Sequence, residues 1–289
     1  MVEVGNLPEG VAADARTGRV AVGLREPDEL ALLDGATGRV EQRVPVPGPP
    51  RHLQLAGLGG PVLVPAESAN ELVQVRLRGG GRRATPVNMQ PHDATFVGGR
   101  TWVGDERSDT VTVLEGDRQV KRFAVARQPG GLIGADGGRT VAVVSVRDRV
   151  VELFDARTYE RLGKANAGVG PTHVVSDGKS TLYVTDTAGD ALLVFRTQPE
   201  LKLTRRLAMR TSPYGIAIDV ERERLFVTLT GTNRLVKLWT DGPRTVNNLP
   251  TVRQPDTVAV DTETGRAYVT GRAEGVLQLV DPGDRAPVR

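Results

Sequence analysis

The chain has 289 residues, 39% hydrophobic and 25% charged, and its 38 Lys and Arg stand against 35 Asp and Glu for a net charge of +3. That is the make-up of an ordinary folded protein, and so small a surplus is no nucleic-acid signature. The absence of cysteine removes disulfides, thiolate nucleophiles and Cys-held metals, and no apolar run reaches the roughly 18 residues that would span a bilayer.

Only 4% of the residues are aromatic, so the core must be built from Val, Leu, Ile and Ala, with Val and Ile suited to pleated sheets. The opening residues Met1-Val2-Glu3-Val4-Gly5 are not a signal peptide. Were an export signal removed ahead of Met1, an extracytoplasmic location would be favoured; the sequence leaves the compartment open.

A short phrase then sets the order of the chain. It begins as Leu7-Pro8-Glu9-Gly10-Val11-Ala12-Ala13-Asp14 and returns at Pro50-Arg51-His52-Leu53, Pro91-His92-Asp93-Ala94 and Pro129-Gly130-Gly131-Leu132. It comes back again at Pro171-Thr172-His173-Val174, Pro213-Tyr214-Gly215-Ile216 and Pro255-Asp256-Thr257-Val258. The prolines at 8, 50, 91, 129, 171, 213 and 255 are separated by 42, 41, 38, 42, 42 and 42 residues. A period of about 40 residues marks an array of supersecondary units.

Each period reads as four short strands divided by Gly, Asn, Asp and Pro turns. Asp-Gly and Thr-Gly-Arg turns, such as Asp14-Ala15-Arg16-Thr17-Gly18-Arg19, place their glycines where positive φ is cheap. No stretch carries a sustained helical stripe, so almost no helix is predicted. The seventh period lacks its fourth strand and runs out at Ala286-Pro287-Val288-Arg289, while Met1–Asn6 is one strand to spare. The sequence therefore predicts an all-β fold: one domain over residues 1–289, a seven-bladed β-propeller of four-stranded antiparallel blades. The N-terminal strand should complete the last blade beside Gly275–Asp281. Radial repetition of this kind leaves only short, protected edges.

Phrases such as Leu182-Tyr183-Val184-Thr185-Asp186 and Ala267-Tyr268-Val269-Thr270-Gly271, set in this period, resemble the YVTN-type propeller repeat. Pro213-Tyr214-Gly215-Ile216 is similar to the related NHL-like and streptogramin-lyase-like propellers. The resemblance covers nearly the whole chain and implies a fold; propellers host binding, enzymatic and scaffolding roles alike. It also implies, for streptogramin-lyase-like enzymes, histidines and a glutamate with a magnesium ion at the axial mouth. This sequence matches their motif only in Pro-Tyr/His-Gly fragments, so no catalytic role passes to a particular residue.

In an antiparallel meander the loops sort by parity. The tight turns share one face. The loops between second and third strands share the other with the proline links, which lie nearest the axis, and binding residues belong on such loops. All three histidines fall in the links: His52 and His173 two residues after their prolines, His92 one after. Asp93, Tyr214 and Asp256 occupy matching slots, with Glu67, Asp105 and Asp186 on the loops beside them. Asn70, Glu106, Asp109, Asp148, Asp190, Asn233, Arg147, Arg272 and Glu274 belong to the same face.

The primary expectation is a non-enzymatic propeller, a monomer with no cofactor, whose axial face holds a small polar ligand, a peptide or a protein partner. One alternative is a metal-assisted lyase or lactonase at the same mouth, since neutral imidazole and carboxylate are usual ligands of divalent ions. Another is nucleic-acid binding along the basic fourth strands, Arg82-Arg83, Lys121-Arg122, Arg161 with Lys164, and Lys202 with Arg205-Arg206. Edge protection explains those charges more simply. Trp102 and Trp239 read as packing residues. Gly79-Gly80-Gly81 reads as a hairpin turn, because no Lys-Ser/Thr and no helix follow it.

Overall fold

A computed structural model describes residues 1–283; 284–289, with the expected terminal Ala286-Pro287-Val288-Arg289, lie outside the described residues. Seven four-stranded antiparallel sheets follow one another along the chain. The first is made of Val11–Asp14, Arg19–Leu24, Glu29–Asp34 and Val40–Pro45, in that order from the axis outward. The sixth is Pro213–Asp219, Arg224–Leu229, Arg234–Trp239 and Thr245–Pro250. Short 3-10 turns at Glu67–Ala69 and Asp136–Gly138 are the only helical segments among the described residues.

The seventh sheet takes Pro255–Val260, Ala267–Gly271 and Val276–Val280 from the end of the chain and Val2–Glu3 from its start. Val2 pairs with Leu277 and Glu3 with Val276. The Val4 and Gly5 N–H groups both reach the Gly275 carbonyl, at 2.9 and 3.2 Å, and Val4 is fully buried. The predicted strand Gly275–Asp281 is shorter at both ends; Gly275 has φ +67° and belongs to the turn.

Second and third strands carry the alternating Val, Leu and Ala that fill the spaces between blades. One such cluster joins Ala21, Leu30 and Val44 of the first blade to Val62, Val64 and Val73 of the second. Trp102 is fully buried. The fourth strands are wet on their outer side, as in Arg161–Asn166. The tyrosines of the repeat phrase cross to the next blade. The Tyr183 hydroxyl donates to the Thr240 carbonyl at 3.1 Å, and the Tyr268 hydroxyl to the Gly35 carbonyl at 2.9 Å, tying the seventh blade to the first. The aspartates that end the first strands close the tight turns: Asp14 accepts from the Thr17 N–H at 2.9 Å and Asp219 from the Arg222 N–H at 3.0 Å.

Candidate functional site

Five of the seven proline links enter their blades through a strained turn. Leu7, Gln90, Gln128, Ser212 and Gln254, the residues before five of the prolines, all have positive φ. Four of them are held by the preceding blade. Asn70, Asp109, Asp190 and Asn233 accept the N–H of Gln90, Gln128, Ser212 and Gln254 at 2.8–2.9 Å. These four polar residues of the predicted mouth are thus anchors for the links. Asp105 and Asp186, at the ends of second strands, hold the links that enter their own blades. Asp105 accepts from Thr110, Thr112 and the Asn88 N–H, and Asp186 from the Val169 and Gly170 N–H groups.

After the proline the first strand carries a β-bulge in at least five blades, between Pro91 and Asp93, Pro129 and Gly131, Pro171 and Val174, Pro213 and Ile216, and Pro255 and Val258. A bulge re-aims side chains, and here two residues per link face the axial region. The positions one after the prolines are Glu9, Arg51, His92, Gly130, Thr172, Tyr214 and Asp256. The positions two after are Gly10, His52, Asp93, Gly131, His173, Gly215 and Thr257.

The three histidines meet. His52 and His173 stand with ring centroids 3.9 Å apart and Nε2 atoms 2.6 Å apart, and His92 is edge-on to His52 at 4.4 Å. Tyr214 lies edge-on to His173 at 4.6 Å. Hydrogen-bond chemistry fixes the protons. His173 Nδ1 faces the Tyr214 carbonyl at 3.0 Å, and His92 Nδ1 the Gly130 carbonyl at 2.8 Å. A carbonyl only accepts, so Nδ1 donates in both and Nε2 keeps a lone pair. His92 Nε2 accepts from Arg51 at 2.7 Å, and His173 Nε2 accepts from His52 Nε2. His52 Nδ1 is then an acceptor, and it has no hydrogen-bond partner.

Neutral rings also fit their surroundings. Burial drives His52 and His92 well below the ordinary imidazole range, with Arg51 and the neighbouring histidines adding to it, and burial takes His173 down to about 4. Among the described residues no group of three or more His, Asp or Glu is arranged to hold a metal ion. The lone pairs of His92 and His173 are already taken by Arg51 and His52, so the imidazoles as they stand do not fit a shared cation.

A buried acid organises the charged half of the mouth. Glu9, 1% exposed, forms ion pairs with Arg51 at 2.7 Å through one oxygen and with Arg25 at 2.7 Å and Arg272 at 3.2 Å through the other. Arg25 also reaches Glu67 at 3.1 Å, and Arg272 reaches Asp256 at 3.5 Å. Burial and the nearby Glu9 charge raise the Asp256 carboxyl to about 7, and its Oδ1 has no partner. Glu106 stands 3.8 Å from His92 and accepts from Gln128 at 2.8 Å. The charge is lopsided: the seventh, first, second and third blades supply these groups, while the fourth to sixth present Gly130, Thr172, Tyr214, Val146, Thr187 and Thr230 at the matching positions.

Of the residues singled out from the sequence, His52, His92, His173, Tyr214, Asp256 and Glu67 therefore gather at the axial face. Asp93 lies just beneath, lining a cavity on the axis. Asp105 and Asp186 are drawn off into the links. Glu9, Arg25 and Arg51 were not singled out. The signal was positional: Glu9 and Arg51 share the slot of His92 and Asp256, and Arg25 shares that of Glu67 and Arg272, one residue past a second strand.

No protein-family profile matches the chain, and no curated protein matches its sequence. Solved structures do match its shape. A chain of the Kuenenia stuttgartiensis hydrazine synthase superposes with a TM-score of 0.86 at 14% identity, over 98% of this chain and 97% of that one. Streptogramin B lyase gives 0.83 at 14% identity, over 97% and 95%. A chain of the mitotic checkpoint complex gives 0.85 at 12% identity, over 98% and 91%. At such identities the likeness is one of fold, shared by enzymes and by parts of assemblies.

Proposed function

We propose that this protein is a binding propeller whose axial mouth holds a small polar ligand carrying a carboxylate or comparable anionic group. The observation that carries the reading is the convergence of Arg25, Arg51 and Arg272 on the single buried carboxylate of Glu9, with Arg272 still 37% exposed. Guanidinium groups recognise planar anions through paired N–H donors. The uncharged fourth to sixth blades, with Tyr214 and the threonines, would face the rest of the ligand. Kinship with the YVTN-type repeat is part of the proposal, supported by the inter-blade ties of Tyr183 and Tyr268.

Binding is favoured over lyase or lactonase chemistry because the imidazoles saturate one another. A metal or a substrate proton could reach them only after His92 left Arg51 and His52 left His173. Titration calorimetry with acetate, succinate, citrate and a peptide with a free C-terminus tests the reading. At least one should give saturable binding, weakened about tenfold or more in Arg272→Ala. Absence of saturable binding to all four, or an unchanged affinity in the variant, would refute it.

A further inference from the structure

Beneath the histidines the axis is hollow. A cavity of about 290 Å³ is bounded at its inner end by His52, His173, Gln54 and Asp93. Its walls are aliphatic, and Leu55, Ile133, Val175, Ile218 and Val260 are each partly exposed. Those residues lie toward the ends of the first strands that run into the tight turns, so solvent enters from the face opposite the arginine mouth. Phe96, 42% exposed, holds the same register on its blade as Ile218 and Val260, and adds an aromatic surface at that end.

The inner end is rich in acceptors and poor in positive charge. Asp93 is 4% exposed. Its oxygens accept from Gln54 Nε2 at 3.0 and 3.1 Å, the Leu132 N–H at 2.8 Å and the Ala94 N–H at 2.8 Å, all neutral donors. No Lys or Arg is among the residues lining the cavity. His52 Nδ1, an acceptor by the proton assignment above, is without a partner. A buried carboxylate with no counter-charge is an unfavourable arrangement, and a cation bearing N–H donors would relieve it.

We propose that this axial channel is a second binding site, separate from the mouth, and that it takes an organic ammonium ion with an aliphatic or aromatic body. The body lies against the first strands and the ammonium group points to Asp93. An anionic ligand would meet Asp93 with no cation to offset it, and a neutral alcohol would leave the carboxylate uncompensated. Size agrees: a dry apolar cavity of about 150 Å³ accepts benzene, so this one has room for a ring with a short amino-alkyl tail.

The experiment is titration calorimetry of the full chain with three ligands of similar shape: phenethylamine, 2-phenylethanol and phenylpropionate. The amine should bind saturably and about tenfold or more tightly than the alcohol, with no binding of the acid. Asp93→Asn should erase the preference for the amine. Val260→Trp, which fills the open end, should weaken the amine in proportion to the space removed. If Asp93→Asn does not fold, the wild-type series and Val260→Trp still decide. Equal affinity for amine and alcohol, no binding of the amine, or an amine affinity untouched by Val260→Trp overturns the proposal. The mouth is tested with anions and the channel with a cation, so the two readings fail separately.

Discussion

Asp256 shows how one residue of the mouth ties its chemistry to stability. Its carboxyl, near 3.8 when solvated, is raised to about 7 in the fold by burial and then by Glu9. The native state therefore holds this proton more tightly than the unfolded chain. The stability it confers is full below about 4 and is lost as pH rises through about 7. The histidines act in the opposite sense. Their native pKa values are depressed, so the unfolded chain takes up more protons below about 6.5 and stability falls as pH falls toward 4. Asp256→Asn removes one arm of this balance while keeping shape. Its melting temperature relative to wild type should rise by several degrees between about pH 5 and about pH 8, reflecting up to a few kcal/mol. An unchanged difference across that range would show that Asp256 is not held protonated. At this scale the sequence was legible in part. It placed His52, His92 and His173 on one face, on the second, third and fifth blades, and left open whether they approach one another. They meet because the bulged links bring side chains to a narrow axis, a geometry that residue spacing does not encode.

The first strand and its proline link form the element that builds the site, and its glycines are as telling as its charges. A Cβ on Gly215 would fall 2.4 Å from the Asp256 carbonyl oxygen and 2.8 Å from the Thr257 Cα; one on Gly10 would fall 2.3 Å from the Arg51 carbonyl oxygen. Neighbouring links pack backbone to backbone here, and only glycine admits that approach. Gly215→Ala should destabilise by about 2 kcal/mol or more in denaturant unfolding, because backbone has to move. Gly98→Ala, with φ +59° and nothing within 4 Å, should lose only about 1 kcal/mol. Equal losses at the two positions would mean that the links are loosely packed. The strands themselves were readable from apolar alternation and turn residues. The polar loop residues were not. Asn70, Asp109, Asp190 and Asn233 look like ligand groups on paper, yet each accepts a backbone N–H from the next link. Such cross-blade anchoring depends on residues some 20 positions apart and leaves no local trace.

For the whole molecule the period of the prolines carried the architecture, since a repeat that cannot bury its faces alone must stack on its neighbours. On the outer edges Arg83 pairs with Asp117 and Arg161 with Glu152, so part of the basic rim is already neutralised. What remains is the junction between the two ends of the chain. Val2–Glu3 covers the edge of Val276–Val280, the Val4 side chain is fully buried against Val20 and Leu277 in the cluster between the seventh and first blades, and Tyr268 crosses the same seam. Removing Met1–Gly5 would strip those pairings, lose the burial of Val4, worth about 1.5–3 kcal/mol by itself, and bare a hydrophobic strand edge. The truncated protein should melt several degrees lower and self-associate on heating, measured by thermal denaturation with light scattering. A melting curve that overlays that of the full chain would mean that the ring holds without its seam, and that blade packing alone, not the pairing of its two ends, keeps the mouth and the channel in register.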